Sequence, residues 1–347
     1  MELDERVQAI KNKRKFRTVD IVERLAVITA QQVVVENYPQ SEPKTVFNPS
    51  FDLTPEGLKL YARISVGYYT YTSSIIELFI PFEDLSAASP HTNKTYPGKL
   101  TIIPDNKFDF WGVEDPRYYR IEEREFITYC GRTVNYFQTH IRVERTLPVT
   151  AVRTEKGWRK VAVFRMPEEI RTFLVSDKDA FLVRGKELML FHRPHMLNEK
   201  FYLNICRVPE EIIQYDKFKE VEIGYNITVM EQCDFEFKIG WGTPPIKIND
   251  EHLVLLHGVD RDLRVYRVFA ALITDEGQFC AVTPHYIMEP KEIYEIYGDR
   301  PFVVFPCGAA RLGDDLYISY GGADSVIGIG KLSLPHLMDT LEANRIQ

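Results

Sequence analysis

One acid and a set of cations are the residues of this chain best suited to chemistry. Asp115 stands in Gly112-Val113-Glu114-Asp115-Pro116-Arg117. Pro116 disfavours the helical region for the residue before it, which fixes the direction of the Asp115 side chain, and Arg117 can orient either acid. An ordinary turn has the same composition, since Asp-Pro is common in loops. A single carboxyl suits proton donation. Inverting cleavage of a glycosidic bond by water asks for a second carboxylate to activate that water, yet the matching positions elsewhere in the chain hold Asn48 and Lys178. Cations do not deprotonate water, but they hold an anion that is already nucleophilic. Inorganic phosphate is such an anion and needs only a positively charged seat beside the carbon under attack. Seven arginines offer themselves for that seat: Arg132, Arg142, Arg145, Arg153, Arg159, Arg165 and Arg171.

These groups need a frame that brings distant residues together, and the chain carries one as a repeat. A strand-like run returns five times, centred on Tyr61, Tyr129, Phe191, Leu256 and Tyr320, and 13 or 14 positions upstream of each comes a second marker, represented by Asn48, Asp115, Lys178, Thr243 and Cys307. A fixed period with short strands in every unit is the sign of radial repetition. The expected fold is therefore all-β, a five-bladed β-propeller. The expected domains are an N-terminal helical extension over 1–40, the propeller over 41–334 and a tail with a short helix over 335–347. In the extension, Leu3, Val7 and Ile10, then Ile21, Val22, Leu25 and Ile28, recur at helical spacing. Two such helices need a covered face, either the propeller's own flank or a second copy of the chain, and a homo-oligomer is expected.

Composition narrows the function. Of 347 residues, 45% are hydrophobic and 27% charged, with a formal net charge of -7. A mildly acidic chain without a basic block argues against nucleic acid as a partner. The charged start lacks the apolar core of a secretory signal, and no run is long enough to cross a bilayer, so a cytoplasmic protein without a membrane partner is expected. The five cysteines are scattered singly, as suits a reducing compartment, and the eight histidines form no ligand pair. Neither a metal nor another cofactor is expected.

In a propeller the inner strands surround the axis. Asn48, Asp115, Lys178, Thr243 and Cys307 should then lie at comparable depth, with Arg63, Arg132, His192, Arg193, His257 and Asp324 close by. Each alone reads as a satisfied structural group; together at one end of five units they read as a ligand site. Phe47, Tyr61, Tyr68, Tyr69, Trp111, Tyr118, Phe191 and Trp241 offer stacking faces for a sugar or belong to the core.

The ensemble of Phe47-Asn48-Pro49, Gly112-Val113-Glu114-Asp115-Pro116-Arg117, Lys178-Asp179-Ala180, His192-Arg193-Pro194, Gly242-Thr243-Pro244-Pro245-Ile246-Lys247, His257-Gly258-Val259, Val304-Phe305-Pro306-Cys307-Gly308 and Tyr320-Gly321-Gly322-Ala323-Asp324 resembles glycoside hydrolase family 130, the β-mannoside phosphorylases. The resemblance runs from about residue 45 to 332. It implies a five-bladed propeller that cleaves β-1,2- or β-1,4-linked mannosides with inorganic phosphate as co-substrate, releasing α-D-mannose 1-phosphate with inversion. Asp115 matches the catalytic acid of the family, which is thought to act through the sugar's own 3-hydroxyl. Lys178 and His192 fall on phosphate-binding positions, with Arg145 and Arg165 as arginine partners. Asn48, Arg63 and Asp324 would hold the mannosyl unit, and Glu114 and His257 are counted beside them as substrate-binding. Two alternatives stand: a β-mannoside hydrolase on the same fold, and a sugar-binding propeller without catalysis.

Overall fold

A computed structural model of the chain describes residues 2–88, 90, 91 and 93–346. The outer ends of the expected extension and tail, Met1 and Gln347, lie outside the described residues. Five sheets, antiparallel except for parallel outer strands on the first three, are arranged as blades, each with its first strand innermost: Thr45–Leu53, Val113–Ile121, Leu174–Arg184, Glu236–Trp241 and Val304–Leu312. The second strand of every blade is the apolar run seen in the sequence. Tyr61, Tyr129, Phe191, Leu256 and Tyr320 are all buried between sheets, which is why their period is so legible.

The N-terminal segment departs from expectation. Val7–Lys13 is a helix, as its spacing predicts, and its Val7 and Ile10 are covered by the propeller itself. Arg14, just beyond it, donates to Glu236 Oε1 at 2.9 Å in a fully buried pair. The second expected helix is instead the strand Glu23–Ile28, which pairs antiparallel with Val326–Ser333 and completes the fifth blade. Leu25 through Ile28 are all buried, and a short run buried on both faces carries no period that separates helix from strand. Glu2–Leu3 and Val33–Val35 add parallel edge strands to the third and first blades. The first forty residues are thus woven through three blades, and most of the apolar stripe that suggested a second copy is covered within the chain, with Leu3 left exposed. At the other end, Leu334–Glu342 forms the expected short helix, capped by Ser333 and anchored by Leu334, Leu337 and Leu341.

Candidate active site

The inner strands do not run smoothly. Pairing with the second strand breaks between Phe47 and Ser50, between Glu114 and Arg117, and between Lys178 and Phe181. At each break sits one residue in the left-handed region: Asn48 at φ 48°, Asp115 at φ 50° and Asp179 at φ 52°. Asn and Asp tolerate that region better than other side chains, and a bulge there re-aims the side chain it carries. Three blades therefore present an amide and two carboxyls in one orientation. In the third blade the residue at this station is Asp179, so the expected ring is one position out of phase at Lys178. Lys178 shares its register with Phe47 and Glu114.

These stations line a cavity of about 450 Å³ at one end of the axis, together with Arg63, Lys178 and Asp324. Asp115 Oδ1 accepts from Asn48 Nδ2 at 2.8 Å and from Arg63 Nη1 at 3.1 Å, while Arg117 Nη1 donates to the Asp115 carbonyl at 2.7 Å. Oδ2 is the oxygen left to face a ligand. The close fit of Asn48 depends on the fifth blade, where a Cβ on Gly321 would lie 1.8 Å from Asn48 Oδ1. Only glycine fits there.

Glu114, adjacent to Asp115 in sequence, lies beneath the cavity and is fully buried. Its carboxylate accepts from Arg132 Nε at 2.7 Å, Arg63 Nη2 at 3.0 Å, Lys178 Nζ at 3.3 Å and the Tyr136 hydroxyl at 2.5 Å. Burial opposes its ionisation, but the charges of Arg132, Arg63 and Lys178 outweigh that and hold the carboxyl well below its usual range. Burial likewise opposes the charge on Lys178, yet Cys130 and Glu114 more than offset it, and the ammonium titrates above the ordinary lysine value. Glu114 was expected on the substrate. The structure puts it one layer down, where it pins three cations that do reach the cavity.

Across the cavity, Asp179 accepts from Arg193 Nε at 2.9 Å and from Arg117 Nη2 at 3.3 Å, with His257 Nε2 at 3.7 Å. A Cβ on Gly240 would stand 2.2 Å from His257 Cε1 and 2.4 Å from Asp179 Oδ2, so a glycine in the fourth blade lets those groups meet. His257 is fully buried against Tyr266 and Phe305, and burial holds its imidazole well below its usual value. It supports the cavity floor and does not line it, contrary to expectation. Lys238 and Arg300 line this side, both within 5 Å of the Tyr266 ring. Asp324 closes the ring, and burial pushes its carboxyl up to about 6 despite Arg300 and Arg63.

Several expected positions fall elsewhere. His192 is fully buried inside the third blade, Nδ1 on Asp177 at 2.7 Å and Nε2 on Asn226 at 2.6 Å. Burial opposes its charge, but Asp177 raises its titration well above normal, giving an imidazolium committed on both nitrogens. Its neighbour Arg193 reaches the cavity instead, because adjacent strand residues face opposite ways. Arg145 donates to the carbonyls of Gln138, Thr139 and Ile141 and braces their loop. Arg165 pairs with Glu144 and Glu220 on the outside of the second blade. Neither lines the cavity. Thr243 is buried where its hydroxyl accepts from Leu255 N, and Cys307 is a buried thiol pushed up by burial. Of the expected stacking faces, Phe47 lines the cavity, Tyr61, Tyr118, Phe191 and Trp241 are core, and Tyr68 and Tyr69 are exposed. Sequence reasoning missed Lys238, Arg300 and Tyr136. Lys238 had a signal: it lies on the inner strand of the fourth blade, four residues before the Gly242-Thr243 element that was assigned to the axis. Among the described residues no cluster of His, Cys, Asp or Glu is placed to hold a metal, and no helix is long and apolar enough to cross a membrane.

Comparison with known proteins converges on one family. Residues 12–343 match the profile of glycoside hydrolase family 130, described as beta-1,4-mannooligosaccharide phosphorylase. A beta-1,2-mannobiose phosphorylase from a Thermoanaerobacter species is 31% identical over 235 residues, covering 67% of this chain and 70% of that protein. A beta-1,4-mannooligosaccharide phosphorylase from Ruminococcus albus is 31% identical over 253 residues, covering 67% of each. Among solved structures, the beta-1,2-mannobiose phosphorylase of Listeria innocua in complex with beta-1,2-mannobiose superposes with a TM-score of 0.61 at 20% identity, over 94% of this chain and 93% of that one.

Proposed function

Since the chain belongs to glycoside hydrolase family 130, we propose that it cleaves β-1,2- or β-1,4-linked mannosides with inorganic phosphate and releases α-D-mannose 1-phosphate with inversion. The observation that carries this reading is the make-up of the cavity. It holds one carboxyl at the proton-donor station, Asp115, and an excess of cations over acids around it. The other carboxyl at an equivalent station, Asp179, is engaged by Arg117 and Arg193. Burial opposes its ionisation, but Arg193 and Arg117 keep it well below the range of a general base. Water activation is thus poorly served and anion binding well served.

In this mechanism Asn48, Arg63 and Asp324 hold the mannosyl unit, and Asp115 gives its proton to the departing oxygen through the sugar's 3-hydroxyl. An oxygen of hydrogen phosphate attacks the anomeric carbon from the opposite face as the glycosidic bond breaks. The proton that phosphate brought restores Asp115, so mannoside and hydrogen phosphate become mannose 1-phosphate and a free sugar hydroxyl. No group beyond the two substrates is required. Of the expected phosphate contacts Lys178 lines the cavity, and Arg193 stands there in place of His192, Arg145 and Arg165. Five free cysteines are compatible with a reducing cytoplasm. The expected homo-oligomer finds most of the N-terminal stripe already covered within the chain.

The test is product analysis from β-1,2-mannobiose and β-1,4-mannobiose with and without phosphate. Mannose 1-phosphate that forms only with phosphate supports the proposal. Mannose released at the same rate without it identifies a hydrolase, and binding without turnover a sugar-binding propeller.

A further inference from the structure

The open end of the cavity is rimmed by loops of three blades. In the first blade, residues 66–72 connect the second strand to the third and reach both neighbours. Tyr71, which lines the cavity, donates its hydroxyl to Asp299 Oδ1 at 2.9 Å in the segment leading into the fifth blade, and its ring meets that of Tyr136 in the second blade edge-on at 6.3 Å. Tyr71 stands at φ 53°, a left-handed value that a bulky side chain keeps only where its surroundings hold it. Two positions before it, the Tyr69 ring lies 5.3 Å from the ring of Phe137 at a tilt of 32°. These two rings are 81% and 62% exposed. The pair is anchored by its neighbours and leaves its own faces to water, and exposed apolar surface continuous with a cavity marks a binding groove.

The cavity itself takes only part of a sugar chain. Asn48, Arg63 and Asp115, which serve the sugar that is split off, are buried at its inner end, while Phe137, Asp299 and Arg300 are exposed at its mouth. At about 450 Å³ it lies toward the small end of ligand pockets. A disaccharide and a phosphate fill such a space, and any further sugar lies outside it. The way out passes Phe137, which both lines the cavity and carries the contact to Tyr69.

We propose that Tyr69 and Phe137 form a platform for the third sugar of a β-mannoside, counted from the end that is split off, so that the protein favours mannotriose and longer chains over mannobiose. This rests on the β-mannoside reading of the cavity and deepens it by chain length. The face of a β-mannosyl ring that carries the axial C–H bonds of C1, C3 and C5 is apolar, and it packs on an aromatic face as an aliphatic side chain does, while the Tyr69 hydroxyl stays free for the hydroxyls at the ring edge. Tyr68, next in sequence and 67% exposed, faces the Lys44 ammonium instead, 5.5 Å from its ring centre. Exposure alone therefore does not single out Tyr69; its contact with a residue of the cavity wall does.

The test compares mannotriose with mannobiose, in the β-1,2 and the β-1,4 series, at saturating phosphate. In the series that the parent cleaves, its kcat/KM for the trisaccharide exceeds that for the disaccharide by about three- to tenfold, the worth of one aromatic contact. Tyr69→Ala brings that ratio to about one by raising the trisaccharide KM, and leaves kcat/KM for mannobiose within about twofold of the parent's. Tyr69→Phe keeps the ring and with it the ratio. Tyr68→Ala, a change of the same kind outside the pair, also keeps the ratio. All three variants melt with the parent, because the rings they alter are exposed. A parent ratio near one, an unchanged ratio in Tyr69→Ala, an equal loss on both substrates, or the same loss in Tyr68→Ala overturns the platform. If the parent cleaves these sugars without phosphate, the phosphorolytic reading fails and the ratio still decides the platform. Turnover of neither series overturns the β-mannoside reading and the platform together.

Discussion

Two groups of cations face one cavity, and they differ in what lies behind them. On the side of the first and second blades, a single buried carboxylate, Glu114, gathers two guanidiniums, an ammonium and a phenol. On the side of the fourth blade, Lys238 and Arg300 crowd one aromatic ring, with no carboxylate within ion-pair distance of either among the described residues. The first group is complete before any ligand arrives, so its arginines act as rigid donors that orient Asp115 and a sugar. The second stands without such a counter-ion.

That contrast can be broken by variants on either side. The largest effect is expected at Asp115, which the clamped side holds in place. Asp115→Asn keeps the left-handed backbone and removes the proton, so phosphorolysis should fall by about 10²–10⁴-fold while calorimetry still detects mannobiose binding. Unchanged turnover would remove Asp115 from the donor role. Next comes Glu114→Gln, which leaves three cations without their counter-charge. Breaking a buried ion pair in this way costs about 3–5 kcal/mol, readable as a lower urea midpoint, whereas Lys238→Met should show no such loss; equal destabilisation by the two would erase the distinction between the groups. The smallest effect is a difference in pH response. Glu114, with its titration lowered, stabilises the fold above its ordinary value of 4.5, and that contribution is lost as pH falls. Asp324, raised from 3.8 to about 6, behaves oppositely: its contribution is present in acid and disappears as pH climbs through 6. Asp324→Asn should therefore gain melting temperature relative to the parent between about pH 4 and 6 and hold that gain above. A constant offset across this interval would argue against a raised Asp324.

The propeller was readable because burial imposes its own period. Each second strand must be apolar to pack between sheets, and five such runs at a steady spacing leave few alternatives. Facing was harder, since side chains alternate along a strand and an error of one residue swaps core for cavity. Lys178 stands one residue from the station that Asp179 occupies, and His192, which the resemblance puts on phosphate, faces the core while Arg193 reaches the cavity. Nothing in a run such as Leu188–Met196 states where the partner strand shifts register by a bulge. The arginines between 132 and 171 posed a different difficulty. Arg145 and Arg165 are held by groups 4 to 55 positions away, and a guanidinium in sequence carries no mark of the carbonyl or carboxylate that will hold it. The second N-terminal helix failed for a third reason, a run apolar enough to be buried on every side.

That last strand has a wider consequence. Because Glu23–Ile28 zips onto Val326–Ser333, the ring is fastened by joining its first and last turns, and the blade that presents Asp324 depends on a segment three hundred positions upstream. Trimming the leading residues would not strip off an appendage. It would unbuckle the circle and bare a backbone edge ready to recruit the same strand from a neighbouring molecule.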